Sequence, residues 1–76
     1  MATNIEIETI RGFVLILENT QTKERHFAFI QGVFPIADEA FRKLKEYNET
    51  WEGKIPFKAV GIQGVEMKPL GEPIIR

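Results

Sequence analysis

Ala37-Asp38-Glu39-Ala40-Phe41-Arg42-Lys43-Leu44-Lys45-Glu46-Tyr47-Asn48-Glu49-Thr50-Trp51 is the stretch whose reading decides the fold. Its apolar residues fall at Ala37, Ala40, Phe41, Leu44, Tyr47 and Trp51. Steps of three and four put them on one stripe, which predicts a single amphipathic helix. Asp38 and Glu39 occupy the first turn, where the helix dipole favours acids. Asp38 with Arg42, Glu39 with Lys43 and Lys45 with Glu49 are spaced to pair on the wet face. No capping side chain precedes the helix. Gly53 is a natural stop, and Pro56 forbids continuation.

Upstream of the helix the pattern changes from helical to strand-like. Ile5-Glu6-Ile7-Glu8 alternates apolar and polar, as a half-buried strand does. Gly12 then suggests a bulge or sharp bend. Phe13 to Leu17 is apolar on both faces and reads as a central, doubly covered strand. The polar run Glu18–Arg25 holds a hairpin turn in which Asn19 and Thr20 can bond their own backbone. His26 to Gln31 reads as the returning strand, and Gly32-Val33-Phe34-Pro35 leads into the helix.

Downstream, Phe57 to Gln63 reads as a strand, and Gly64 punctuates it. Val65 to Lys68 is then a short last strand. Pro69, Gly71 and Pro73 prevent further regular pairing. The whole is a small ββαβ(β) domain of the α+β class, one amphipathic helix on a mostly antiparallel sheet. A β-grasp-like arrangement fits this order. A bent small barrel with one helix is the alternative, and Gly12 keeps it open. Residues 1–69 form the domain and 70–76 an extended C-terminal tail.

Composition bounds the function. The chain has 76 residues, a net charge of −1 and no cysteine. A chain of this size buries only about 60% of the surface its unfolded form exposes, so the core is thin. Without cysteine, the disulfide scaffold of small secreted domains is absent. The start lacks a basic n-region, and the longest apolar run is Phe13–Leu17, far short of a bilayer span. A cytoplasmic protein is expected. The near-neutral charge also disfavours a dedicated nucleic-acid or membrane-surface binder.

The side chains offer little chemistry. One histidine, His26, and neither cysteine nor serine leave no nucleophile–base pair of the usual kinds and no cysteine–histidine zinc site. No enzyme activity, cofactor or metal is expected. Glu6 and Glu8 share a strand face, but a solvated face explains them. Gly61-Ile62-Gln63-Gly64 and Gly53-Lys54 lack the strand–loop–helix context of a phosphate loop. Asn48-Glu49-Thr50 matches a glycosylation sequon, discounted because it falls on the helix.

What remains is surface. Ile30-Gln31-Gly32-Val33 recurs as Ile62-Gln63-Gly64-Val65, which suggests either two strands that end alike or one shared Gln31/Gln63 edge. Tyr47 and Trp51 at one end of the helix and Phe34 at the other are hot-spot residue types, though a stripe position favours the core. Leu70, Ile74 and Ile75 of the tail and an unpaired edge strand offer strand addition to a partner or a second copy. Phe27 and Phe29 interleave with Lys23, Arg25 and Lys58, a pattern that stacks bases and holds phosphates in single-stranded nucleic-acid binders. Here Phe27 and Phe29 are expected in the core, because the helix stripe needs a facing partner. The leading expectation is a protein-binding or regulatory module that acts by occupying a surface. A single-stranded nucleic-acid-binding domain is the alternative.

Overall fold

A computed structural model describes residues 9–68, 71, 72, 74 and 75. The expected strand at Ile5–Glu8 and the tail residue Leu70 lie outside the described residues. Three strands and one long helix follow in the order β1 (Ile10–Asn19), β2 (Arg25–Phe27), α1 (Ala37–Trp51) and β3 (Phe57–Met67), with a 3-10 turn at Phe29–Gln31. The sheet is antiparallel throughout, ordered β2-β1-β3. It is an open sheet with one helix packed on it, so the barrel alternative does not hold.

Strand β1 is central because its apolar run needs cover on both sides. Val14 and Leu15 point to opposite faces, and both are fully buried. Leu15 and Leu17 face the helix and join Ala28, Tyr47 and Ala59 in the core, with Phe34, Leu44, Ile55 and Ile62 packed against it. Three of the buried apolar residues, Ala28, Ala40 and Ala59, are alanines. They let the helix and the strands approach closely but contribute little buried area.

The β1–β2 turn is built by Asn19. Its side-chain Oδ1 accepts hydrogen bonds from the Gln21 and Thr22 backbone N–H groups at 2.9 and 3.0 Å. Its own carbonyl accepts from Lys23 at 2.8 Å. That local satisfaction is what an asparagine at a turn provides. Lys23 takes a left-handed backbone, φ 65°, to close it.

The returning strand is much shorter than the apolar run His26–Gln31 suggests. Ala28 still donates to the Leu15 carbonyl at 2.9 Å, but the chain then leaves the sheet. Gln31 and Gly32 donate to the carbonyls of Ala28 and Phe29, which makes the 3-10 turn, and Gly32 turns back with φ 109°. Phe34 rejoins β1 by two 2.8 Å hydrogen bonds with Phe13. The edge is thus one strand with an extruded loop.

Two glycines are placed differently from expectation. The irregularity in the β1–β3 ladder lies between Ile16 and Leu17, opposite Val60, and not at Gly12. Gly12 is instead a place of close approach. A Cβ there would stand 2.6 Å from Val33 Cγ1 and 2.8 Å from the Phe34 carbonyl oxygen. Gly64 does not end a strand either. Strand β3 runs through it to Met67, so the two short strands expected after the helix are one.

Helix α1 has the expected span, with no side-chain cap at its start and Gly53, φ 73°, just past its end. It begins beside Phe34 on the β2 flank and reaches β3 near its end, so it crosses the sheet diagonally. None of the three expected four-apart ion pairs forms among the described residues. Lys43 pairs with Glu46 at 3.7 Å instead.

Candidate functional site

The helix covers one face of the sheet. Directly opposed residues share a face, so the register defines the other one. Arg25, Glu18 and Lys58 form its first row, and Phe27, Ile16 and Gly61 form its second. Arg25 donates to Glu18 at 2.9 Å, with Arg25 largely exposed. Lys58 is exposed on the other side of Glu18.

Phe27 is 50% and Phe29 48% exposed, which overturns their expected place in the core. The buried residue between them is Ala28. Phe27 lies on the sheet face without the helix, and Phe29 sits on the extruded loop. Their rings meet edge to face, with centroids 6.3 Å apart, an attractive geometry for two aromatic quadrupoles. Ile30, at the apex of the 3-10 turn, is 94% exposed. The hydrogen bonds of Ala28, Gln31 and Gly32 fix this turn, so three apolar side chains are presented on a constrained support.

The helix residues divide as well. Tyr47 is buried in the core, and Phe34 packs against it at the other end. Neither forms an open docking surface. Burial pushes the Tyr47 hydroxyl above the usual phenol range. Phe41 and Trp51 were expected on the buried stripe and are exposed instead. Phe41 points off its edge, and Trp51 lies a turn beyond Tyr47, where the helix outruns the core.

Gln31 and Gln63 are not brought together. Gln31 lies on the β2 flank of β1, and Gln63 pairs with Val14 in β3 on the other flank. Gln63 donates from Nε2 to the Gly64 carbonyl at 3.0 Å. Lys23 stands at the β1–β2 turn, exposed. Ile74 and Ile75 are exposed and outside regular structure. His26 packs edge to face against Phe57, centroids 5.5 Å apart, a structural contact at the end of the core. Among the described residues no cluster of three or more metal-ligating side chains occurs. No helix among them is long and apolar enough to cross a membrane.

One residue with a clear role was passed over in the sequence. The Asn48 side chain donates from Nδ2 to the Ala59 carbonyl and accepts from the Ala59 N–H at Oδ1, both at 2.9 Å. Its amide thus stands in for one residue of a neighbouring strand along the outer edge of β3. The signal was present: Asn48 follows Ala40 and Leu44 at intervals of four, a polar residue on the inward side.

Two depressions lie on the surface of the described residues. One of about 430 Å³ lies between Thr20, Asn48, Glu52, Ile55, Phe57 and Lys58. A wider, open one of about 580 Å³ lies along Arg11, Phe13, Pro35, Gly64 and Glu66. Arg11 and Glu66 approach to 3.9 Å at its rim, both well exposed. Compared with known proteins, the chain matches no family model, no curated protein and no solved structure.

Proposed function

We propose that this chain is a protein-binding module that acts by occupying a partner's surface, with no catalysis of its own. One observation carries the reading: Phe27, Phe29 and Ile30 are presented together, Ile30 94% exposed, on a turn held by three backbone hydrogen bonds. A domain with so thin a core gains stability by burying aromatic residues. Holding two of them half in water is the mark of a surface kept for a partner. The cysteine-free composition fits work inside the cell, where a regulatory or inhibitory role needs only affinity.

The test is capture of partners from the native lysate by the tagged wild type and by Ile30→Glu, with and without nuclease. A protein retained by the wild type through nuclease and lost by Ile30→Glu is the expected result. Equal retention by both, with Phe29→Ala also unchanged, refutes this surface.

A second reading draws on the row of Arg25, Glu18 and Lys58 beside Phe27. Aromatic rings flanked by cations hold single-stranded nucleic acid by stacking and phosphate contact. It ranks second because Glu18 already engages Arg25. It requires oligonucleotide binding that weakens steeply with salt and falls in Lys58→Glu. Absence of binding at low salt ends it.

A further inference from the structure

The outer edge of β3 is a separate feature, and its geometry is self-complementary. In β1, Phe13, Leu15 and Asn19 make their backbone bonds on the β2 side, to Phe34, Ala28 and Glu24. The residues between them therefore bond to β3, since the ladder alternates. By the register, Gln63, Val65 and Met67 turn inward to β1, and Ile62, Gly64 and Glu66 turn their N–H and C=O groups outward. Among the described residues no backbone group meets them. The Gln63 side chain bonding the Gly64 carbonyl shows that this carbonyl is open to the outside.

The free stretch has two ends. Asn48 fills the outward pair of groups at Ala59. At the other end β3 stops at Met67. Between them run Val60 to Met67, and the three outward residues, Ile62, Gly64 and Glu66, are centred on Gly64. We infer that β3 pairs, antiparallel, with β3 of a second copy about a two-fold axis through Gly64. The dimer joins the two sheets into one continuous sheet, β2-β1-β3-β3-β1-β2.

This register is the longest the edge allows. A two-fold centred on Ile62 runs into the Asn48 clamp, and one centred on Glu66 runs past the end of β3 at Met67 and sets Glu66 against its own copy. Centred on Gly64, Ile62 of one copy faces Glu66 of the other, and Val60 faces Lys68, so no like charges are opposed. Ile62, Gly64 and Glu66 of each copy then exchange roughly six backbone hydrogen bonds in all. Room is available at the centre. Gly64 has no side chain, and the open depression of about 580 Å³ adjoins it on the helix face. The helix leaves this end of β3 uncovered because it starts on the opposite flank. The second copy is favoured as occupant because one stretch supplies both halves of the pairing, and because small domains with thin cores gain stability by association.

The absence of cysteine makes the test clean. Sedimentation of the wild type is expected to give twice the 8.7 kDa chain mass at about 100 μM, a concentration that populates associations of micromolar affinity. Gly64→Pro removes only an outward N–H, which an edge strand tolerates. It is expected to sediment as a monomer with an unchanged circular dichroism spectrum. Should that variant unfold, Gly64→Cys gives an independent readout. Cα atoms opposed in such a pair stand about 5.5 Å apart, within disulfide reach. Gly64→Cys is therefore expected to cross-link at least about tenfold faster than Lys45→Cys on the exposed helix face. A monomeric wild type overturns the inference and leaves the edge to an extended peptide of another protein. A folded Gly64→Pro dimer overturns it as well, as does cross-linking at Gly64 no faster than at Lys45.

Discussion

Replacing Asn48 by alanine measures how much of the helix–sheet contact rests on one amide. Two hydrogen bonds of 2.9 Å are removed, and the Ala59 N–H and C=O lose their only partners among the described residues. A net contribution of about 0.5–1.5 kcal/mol for each bond gives roughly 1–3 kcal/mol. Alanine is the better helix former by about 0.5 kcal/mol, which offsets part of the loss. The expected outcome is destabilisation by about 1.5 kcal/mol, or a fall in Tm of roughly 6–12 °C for a domain of this size. Urea unfolding followed by circular dichroism reads the change. Glu49→Ala, on the exposed neighbour, reports the propensity gain alone. If Asn48→Ala matches Glu49→Ala within about 0.3 kcal/mol, the clamp contributes nothing and the reasoning fails.

Four further outcomes follow from the structure. Gly12→Ala is expected to cost about 1–3 kcal/mol, because the new Cβ meets Val33 and the Phe34 carbonyl. Gly64→Ala, whose Cβ meets only Phe13 at an ordinary 3.7 Å, is expected to be near neutral by the same urea assay. Lys23→Gly relieves the left-handed backbone at φ 65° and is expected to stabilise by up to about 1 kcal/mol; a loss of stability refutes the strain argument. Tyr47 favours its neutral form in the folded chain, so the folded state holds its proton where the unfolded state releases it. That contribution is complete below the ordinary phenol value of 10.0 and is lost as pH rises through the higher folded value. Denaturation above pH 10 is therefore expected to be steeper in the wild type than in Tyr47→Phe. Parallel curves for the two proteins refute it.

The helix was legible because its signal is local. Six apolar residues at helical spacing and a terminal glycine specify Ala37–Trp51 without reference to the rest. The central strand was legible for a similar reason, since five consecutive apolar residues mark the interior of a sheet, although the helix covers only one of its faces. What failed depended on distant partners. His26–Gln31 has the composition of a strand, but its pairing stops where Ala28 becomes the buried residue, and no local pattern marks Ala28 over Phe27 or Phe29. The Gly12 expectation had the right residue and the wrong reason, because the crowding comes from Val33 and Phe34, far along the chain. Phe41 and Trp51 fit the stripe in sequence. The sheet is too narrow and too short to reach them, and that is a property of three strands together. Of the residues singled out for a surface role, Phe27 and Phe29 are half exposed, while Tyr47 lies in the core and Phe34 packs against it.

The loop that interrupts the β2 flank has a consequence for growth. A sheet with two continuous free edges is a template at both ends, and each added chain exposes a fresh edge for the next. Here β2 carries only Arg25–Phe27 before the backbone leaves the ladder, so that flank offers no uninterrupted row of groups to a newcomer. Among the described residues β3 is the long edge, so the proposed β3–β3 pairing would leave only the broken flanks outside. In that pairing the extruded loop would act as a chain terminator, separating a finite assembly from a fibre.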